Sequence, residues 1–157
     1  MRLIQAPQLL RTNLILEDVD PNVELTMDAY KCKLTKKQRK NIKDKGVFTY
    51  IKMALQISFP NYCFDDLTSL DIKKSNYDEL KESLSFRFSS LLSNYENDVH
   101  TFLLSVFDSV IYLKNSTIYC VNKRLEMFYQ TKWFHCYFFY NKKRKRLLLF
   151  VAMDHKN

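Results

Sequence analysis

Two neighbouring carboxylates and a cysteine lie in one irregular stretch of this sequence. Asp65 and Asp66 could together bind a cation, and Cys63 could act as a thiol nucleophile. A nucleophilic cysteine needs a neighbouring base, and the three histidines of the chain fall in other predicted elements. This stretch therefore supports only a minor hypothesis, a small hydrolase with a cavity around Cys63, Asp65 and Asp66.

The motifs that carry common enzyme chemistry are absent from the sequence. With one glycine among 157 residues, the chain cannot form the glycine-rich loops that bind nucleotide phosphates. Neither GxSxG nor HExxH occurs. His135 and Cys136 are adjacent, so on a strand they would point to opposite faces and could not share a metal ion. We therefore expect no enzymatic activity, no cofactor and no metal site.

Positive charge is concentrated in two segments, within a net charge of +8. Residues 31–46 carry eight basic residues and one acidic residue, and residues 101–157 carry ten and three. The clusters themselves are Lys31–Lys45 and Lys142–Arg146. Such clusters favour acidic partners, which include nucleic acid, an acidic protein surface and anionic lipid. A basic nucleic-acid-binding domain is therefore the general alternative, and a nuclear import signal is a second interpretation of Lys142–Arg146.

The hydrophobic pattern predicts strands and helices in separate parts of the chain. Residues 23–34 alternate as in a strand, and residues 48–59 have apolar side chains at helical spacing. Residues 75–107 predict two helices. Because strands come before and after the helices, we expect an α+β fold, mainly an antiparallel sheet packed with helices. The length fits one globular domain over residues 1–157.

Two details of the helical region are also predicted. Ser75 or Asn76 should cap the first helix, because either side chain can accept a hydrogen bond from the exposed backbone N–H groups. The break between the two helices is expected at Asn94–Asn97. After the second helix, residues 110–121 predict two short strands around a Lys-Asn turn, or one bulged strand.

The aromatic run before the second basic cluster predicts a buried strand. From Trp133 to Tyr140, bulky side chains occupy both sets of alternate positions, so the strand should be central and covered on both faces. Leu147–Val151 is an unbroken apolar run and predicts a second buried strand. Lys142–Arg146 would then be a hairpin connection that starts at Asn141.

The hydropathy pattern and the cysteines indicate the cellular environment in which the protein is expected. No run of 18 apolar residues occurs, and residues 1–16 lack the apolar core of a secretory signal. The cysteines form no CxxC pair and predict reduced thiols of an intracellular protein. They are Cys32, Cys63, Cys120 and Cys136.

The segment WFHCYFFYNKKRKRLLLF resembles the C-terminal box of the Maf-one family, negative regulators of RNA polymerase III transcription. Tyr137–Asn141, Lys142, Lys145 and Arg146 fit this box, with Trp133 upstream. Three earlier segments resemble further parts of the family in the same order, so that the resemblance spans about residues 23–151. They are DAYKCKL, with Tyr30, Cys32 and Lys33; YIKMALQISFPNYCF, with Leu55, Ser58, Phe59, Pro60, Tyr62 and Phe64; and FDSVIYLKNSTIYCVN, with Asp108, Ile111, Leu113, Ile118, Tyr119 and Asn122.

This resemblance implies a non-catalytic repressor. Such a protein binds RNA polymerase III at its clamp and keeps it from the promoter-bound initiation factor, which lowers the synthesis of transfer RNA and other short RNAs. The initiation factor is a further candidate partner, direct nucleic-acid binding would be weak and non-specific, and the expected location is both nucleus and cytoplasm. Family members carry a long Ser/Thr-rich insert whose phosphorylation controls activity, whereas here a short basic connector, residues 34–47, stands in its place.

Five charged residues match the family pattern and are predicted to contact the partner. For Asp108, capping of a helix end or pairing with a basic residue is an equal alternative. The two basic clusters follow strands that could be neighbours in one sheet, which would merge them into a single surface. The predicted contact residues are Lys33, Asp108, Lys142, Lys145 and Arg146.

Overall fold

A six-stranded antiparallel sheet organises this protein, as seen in a computed structural model that describes residues 1–17, 22–33, 35–37, 46–88 and 99–155. Within these residues the chain also forms four α-helices and three short 3-10 turns. In chain order the elements are β1 (Arg2–Ile4), α1 (Pro7–Glu17), β2 (Val23–Lys31), α2 (Val47–Ser58), β3 (Ile72–Ser75), α3 (Tyr77–Phe88), α4 (Val99–Ile111), β4 (Thr117–Val121), β5 (Thr131–Asn141) and β6 (Arg146–His155). The 3-10 turns are Ser69–Asp71, Leu113–Asn115 and Glu126–Phe128.

The strands lie in the order β1-β2-β6-β5-β4-β3, and every neighbouring pair is antiparallel. The two longest pairings join β6 to β2 and to β5, so β6 is at the centre of the sheet. Hydrophobic strands need cover on both faces when they are central, and β6 is almost entirely buried. The predicted α+β class and its antiparallel sheet are confirmed.

Helices cover both faces of the sheet, and the sheet divides the core into two layers. The first layer contains α1, α3 and α4, and the second contains α2 with the loop residues around it. Strand β5 contributes to both, with Tyr137 and Phe139 in the first layer and Cys136 and Phe138 in the second. This alternation confirms the prediction of a central strand covered on both sides, since successive side chains of a strand point to opposite faces.

The start of α3 is capped as predicted. The Asn76 side chain accepts a hydrogen bond of 2.9 Å from the backbone N–H of Glu79. The predicted break at Asn94–Asn97 lies outside the described residues, as does most of the predicted connector 34–47. Within the described part of the chain, no helix combines the length and the apolar character that crossing a membrane requires.

The prediction of strand structure from residue 110 was wrong in its first half. Helix α4 continues to Ile111, a 3-10 turn follows, and only Thr117–Val121 forms a strand. The reason is burial: Phe107, Val110 and Ile111 continue one helical stripe that packs against the sheet. This packing outweighs the preference of β-branched residues for strands.

Candidate functional site

Strand pairing brings the start of the first basic segment, Lys31–Lys33, beside the second basic segment at one end of the sheet. In the β2–β6 pairing, Lys31 lies opposite Arg146. One residue further on, the backbone N–H of Cys32 donates a hydrogen bond of 2.8 Å to the carbonyl of Lys145. Lys33 therefore follows directly on a residue bonded to the hairpin turn and is not at the opposite pole of the domain. The predicted neighbourhood of Lys33 and Arg146 is confirmed for the described residues.

We call this region the basic end. It comprises Arg2, Lys31, Lys33, Lys142, Lys143, Arg144, Lys145 and Arg146. These side chains are exposed, apart from the half-buried Arg146. The structure contains no ion pair between any of them and a carboxylate of the described residues. Within the described residues, no neighbouring carboxylate therefore neutralises their positive potential.

The turn between β5 and β6 is held in one conformation by local hydrogen bonds. Lys145 has a positive φ of 53°, and its N–H lies 3.3 Å from the carbonyl oxygen of Lys142. The Asn141 side chain accepts a bond of 3.1 Å from the N–H of Arg144 and donates one of 2.9 Å to the carbonyl of Ile111. Because Asn141 is only 1% exposed, these bonds are shielded from water, and they attach the turn to the end of α4.

Asp108 lies on the last turn of α4, beside the basic end. Its Oδ1 accepts a hydrogen bond of 3.1 Å from the N–H of Leu113, which is the helix-end role given above as an alternative. It also lines a cavity of about 860 Å³, together with Lys81 and Lys114 among others. Contact between Asp108 and a partner stays a prediction, as it does for Lys33, Lys142, Lys145 and Arg146.

A much smaller cavity lies at the loop that motivated the hydrolase hypothesis. Its volume is about 150 Å³, and its lining includes Cys63, Asp66, Lys123 and Arg124. None of the described residues that line it is a histidine, and Asp65 is not among them. The described residues also contain no group of three or more side chains suited to hold a metal ion. This geometry offers Cys63 no imidazole base.

The four cysteines are free thiols, of which Cys32 and Cys136 are buried. Burial raises the pKa of the Cys32 thiol to about 12, although the nearby positive amino terminus opposes the rise. Burial likewise raises the pKa of Cys136. Both therefore remain neutral and pack as small apolar side chains at neutral pH.

Two motif residues with hydroxyl groups serve to attach α2 to the sheet. Ser58 at the end of α2 donates a hydrogen bond of 2.7 Å to Asp28 of β2. The Tyr30 hydroxyl lies 2.5 Å from the same Ser58 oxygen, and since the single Ser58 proton is used, Tyr30 is the donor. Burial raises the pKa of Tyr30 to about 12, so this donor stays protonated. Tyr30 and Ser58 thus support the architecture and not a surface contact.

His135 is a half-buried, neutral imidazole on β5. The Arg87 Nε–H donates to His135 Nε2 over 3.1 Å, and the Arg87 guanidinium lies 4.7 Å from the Trp133 ring centroid. Burial, together with the positive charge of Arg87, lowers the pKa of His135 from its ordinary 6.5 to about 4. An imidazole that accepts a hydrogen bond from arginine cannot serve as a proton acceptor for a reaction at neutral pH.

The neutral state of His135 predicts a specific pH dependence of stability. Because the unfolded chain binds a proton at this histidine more readily than the folded chain, the free energy of unfolding falls as the pH drops from about 6.5 towards 4. Between pH 7 and 4.5 this term amounts to roughly 2–3 kcal/mol. His135→Phe should lack it, as measured by urea unfolding at both pH values. His100→Gln is the matched control; equal pH dependence of wild type and His135→Phe would contradict the assignment.

Arg144 of the basic end and its neighbour Tyr112 were not among the contact residues predicted from the sequence. Arg144 stacks over Tyr112, with its Cζ atom 3.8 Å from the ring centroid. The sequence places these residues 32 positions apart, in a predicted strand and a predicted turn, and contains no local signal of their contact. Asn141, the residue before the basic turn, indicates only that the turn backbone is hydrogen-bonded, because asparagine side chains often bond turn backbones.

The fold and this surface together define the class of the protein: an α+β domain with an exposed basic end and, in its described part, no metal-ligand cluster. A family model described as Maf1 regulator matches residues 39–151, well over half of the chain. The chain therefore belongs to the Maf1 regulator family, whose members are non-catalytic.

The chain is also similar to solved structures and to curated proteins. The chain is similar to citrus MAF1 in two crystal forms, with TM-scores of 0.75 and 0.73 and sequence identities of 19% and 18%. These alignments cover 95% and 96% of this chain and 99% of each citrus chain, and they show a shared fold. Two uncharacterized proteins of Encephalitozoon cuniculi (strain GB-M1) are each 24% identical over 157 residues, which covers 97% of both chains.

Proposed function

We propose that this protein represses RNA polymerase III by binding the polymerase through the basic end. In this proposal the protein contacts the clamp at the rim of the cleft and prevents the promoter-bound initiation factor from recruiting the enzyme. The consequence is lower synthesis of transfer RNA and other short RNAs. The proposal takes the family role implied by the sequence and assigns it to one surface of this chain.

The observation that supports the assignment is the convergence of Lys31–Lys33, the start of the first basic segment, with the turn Lys142–Arg146. They are separated by about a hundred residues in the sequence, yet the β2–β6 pairing places Lys31 beside Arg146. Charges of one sign repel each other, so their concentration without carboxylate partners among the described residues costs stability. A surface retained at such a cost is suited to bind an acidic partner, where complementary charge accelerates association and selects the partner.

Repression by this route requires no chemical step. The domain would occupy the polymerase surface reversibly and exclude the initiation factor by its volume. The polymerase surface that receives the initiation factor is then available only when the repressor dissociates. Its occupancy therefore depends on the concentration of the repressor and its affinity for the polymerase. Action in the nucleus, with a reserve in the cytoplasm, is part of this proposal.

Purified RNA polymerase III should bind the immobilised protein, whereas purified RNA polymerase II should not. The reason is that recognition by a shaped basic surface selects one acidic surface over another. Binding is measured by biolayer interferometry at physiological salt, and promoter-directed transcription of a transfer RNA gene in vitro is measured in parallel. Equal binding to both enzymes, or transcription unaffected at saturating protein, would refute the proposal.

The second candidate function is nucleic-acid binding, which the exposed cations of the basic end favour. Base stacking, however, requires exposed aromatic rings, and those of Tyr137, Phe138 and Phe139 are buried. A duplex or transfer RNA ligand that binds through its phosphates would show a steep linear fall of log affinity against log salt. If transfer RNA bound more tightly than polymerase III at physiological salt, nucleic acid would replace the polymerase as the preferred partner.

A further inference from the structure

Arg144 and Tyr112 form an exposed, stacked pair within the basic end. The guanidinium carbon lies 3.8 Å from the Tyr112 ring centroid, although 44% of the tyrosine surface is still exposed. Arginine stacks well on aromatic faces because its planar cation is weakly hydrated and attracted by the ring electrons. The other seven cations of the basic end have no such aromatic support among the described residues.

Tyr112 is itself held in an unusual backbone conformation. Its φ is 57° and its ψ is 80°, in the left-handed region that non-glycine residues rarely adopt. Hydrogen bonds around it hold this conformation: the Tyr112 N–H donates to the Asp108 carbonyl over 3.0 Å, and the Leu113 N–H donates to Asp108 Oδ1 over 3.1 Å. The Ser116 hydroxyl also contacts the Tyr112 carbonyl at 2.9 Å. Backbone strain that persists because its surroundings maintain it is typical of functional sites.

Arg144 is fixed from the other side by the hairpin turn. Its backbone N–H donates to the Asn141 side chain, which in turn donates to Ile111, the residue before Tyr112. The backbone and the side chain of Arg144 are therefore both tied to the end of α4. A flexible surface arginine loses side-chain entropy when it binds, whereas this one has lost much of it already.

We propose that Arg144 is the specificity-determining anchor of the partner interface and that it binds a carboxylate of an acidic protein segment through two parallel hydrogen bonds. This proposal rests on the proposed function. The planar fork of five N–H donors matches a carboxylate, and stacking on Tyr112 leaves the edge of the fork open. Tyr112, Asn141 and Asp108 are positioning residues in this arrangement; Asp108 acts through the Tyr112 turn. Phosphate has similar geometry, and a comparison with transfer RNA binding distinguishes the two ligands.

Arg144→Lys should weaken polymerase III binding about tenfold, nearly as much as Arg144→Ala, because lysine keeps the charge but not the fork. The matched control is Arg124→Lys. Arg124 also stacks on a ring, with Cζ 5.6 Å from the Phe134 centroid, but it lies at the opposite end of β5. The control should bind the polymerase like the wild type.

Tyr112→Leu tests positioning without any change of charge. It should weaken polymerase binding about fivefold, while Tyr112→Phe restores it, because phenylalanine keeps the stacking face. The second readout is the Arg144 Nε–Hε resonance in an NMR spectrum of the free protein. It should move towards the position of a free arginine in Tyr112→Leu and not in Tyr112→Phe. An unmoved resonance with unchanged affinity would overturn the positioning role.

The outcomes separate this proposal from the proposed function. If Arg144→Lys binds the polymerase like the wild type while charge reversal by Lys145→Glu with Arg146→Glu abolishes binding, Arg144 is not the anchor and the proposed function stands. If neither change affects binding, the basic end is not the polymerase surface. If Arg144→Lys weakens binding of transfer RNA more than binding of polymerase III, the anchor recognises phosphate and the assignment to a protein carboxylate is wrong.

Discussion

The double substitution Lys145→Glu with Arg146→Glu should weaken binding to RNA polymerase III about 100-fold while the protein remains folded. It changes the charge of the basic end by four units at its centre, where Arg146 lies opposite Lys31. Like charges brought together at an interface cost several kcal/mol, and a 100-fold loss corresponds to about 2.7 kcal/mol. Binding is measured by biolayer interferometry, and folding by circular dichroism and thermal unfolding.

The fold should tolerate this change because Lys145 is exposed, Arg146 is half-buried, and neither side chain forms an ion pair within the described residues. Lys145 has a positive φ of 53°, which glutamate tolerates about as well as lysine does. The control is Lys123→Glu with Lys132→Glu, the same change of charge on exposed residues at the other end of β4 and β5. An equal loss in the control would show that overall charge, and not the basic end, governs binding. An unfolded double variant would show that Lys145 and Arg146 have structural roles.

The largest effect on stability is expected from Phe107→Ala. Phe107 is fully buried, and its ring centroid lies 4.9 Å from that of Phe139 on β5 and 5.0 Å from that of Phe150 on β6. It therefore connects α4 to the two central strands. Loss of a buried phenylalanine removes apolar contacts and leaves a cavity, at a cost of about 3–5 kcal/mol. Total stability of such domains is on the order of 5–15 kcal/mol, so a large part of it would be lost.

Urea unfolding measures this loss directly. Phe86→Ala is the matched control, because Phe86 lies on α3 with 76% of its surface exposed. Its substitution should change the free energy of unfolding by less than about 1 kcal/mol. A similar small change for Phe107→Ala would contradict the packing of α4 on the sheet. The destabilised variant should also bind polymerase less well at 37 °C, since α4 carries the Asp108–Tyr112 support of the basic end.

Several features could be predicted because their physical causes are local. The bulky side chains at both sets of alternate positions from Trp133 to Tyr140 predict a central strand, since successive side chains of a strand point to opposite faces wherever it lies in the chain. The charged run after Asn141 predicts a turn between two buried strands, and the structure contains that turn. The N-cap at Asn76 was also predictable, because capping involves only the next three residues.

Other features could not be predicted because contacts between distant residues decide them. The stretch around Val110 has β-branched residues and suggested a strand, but burial against β5 and β6 keeps it helical. The left-handed backbone of Tyr112 has no local signature, since a glycine or asparagine would be expected there. Its stacking with Arg144 joins two segments that pattern analysis treats separately.

Residue pattern and order alone predict the α+β class, the buried hairpin of β5 and β6, the clustering of positive charge and the resemblance to a family of transcription regulators. These depend on hydrophobic period, turn chemistry and residue order, which are properties of neighbouring residues. The position of Lys33 beside the Lys142–Arg146 turn and the stacking of Arg144 on Tyr112 become visible only in the folded chain. Strand partners and helix-to-turn contacts are selected because both faces of the sheet must be buried at the same time. That requirement involves several segments of the chain and is not visible in any one of them.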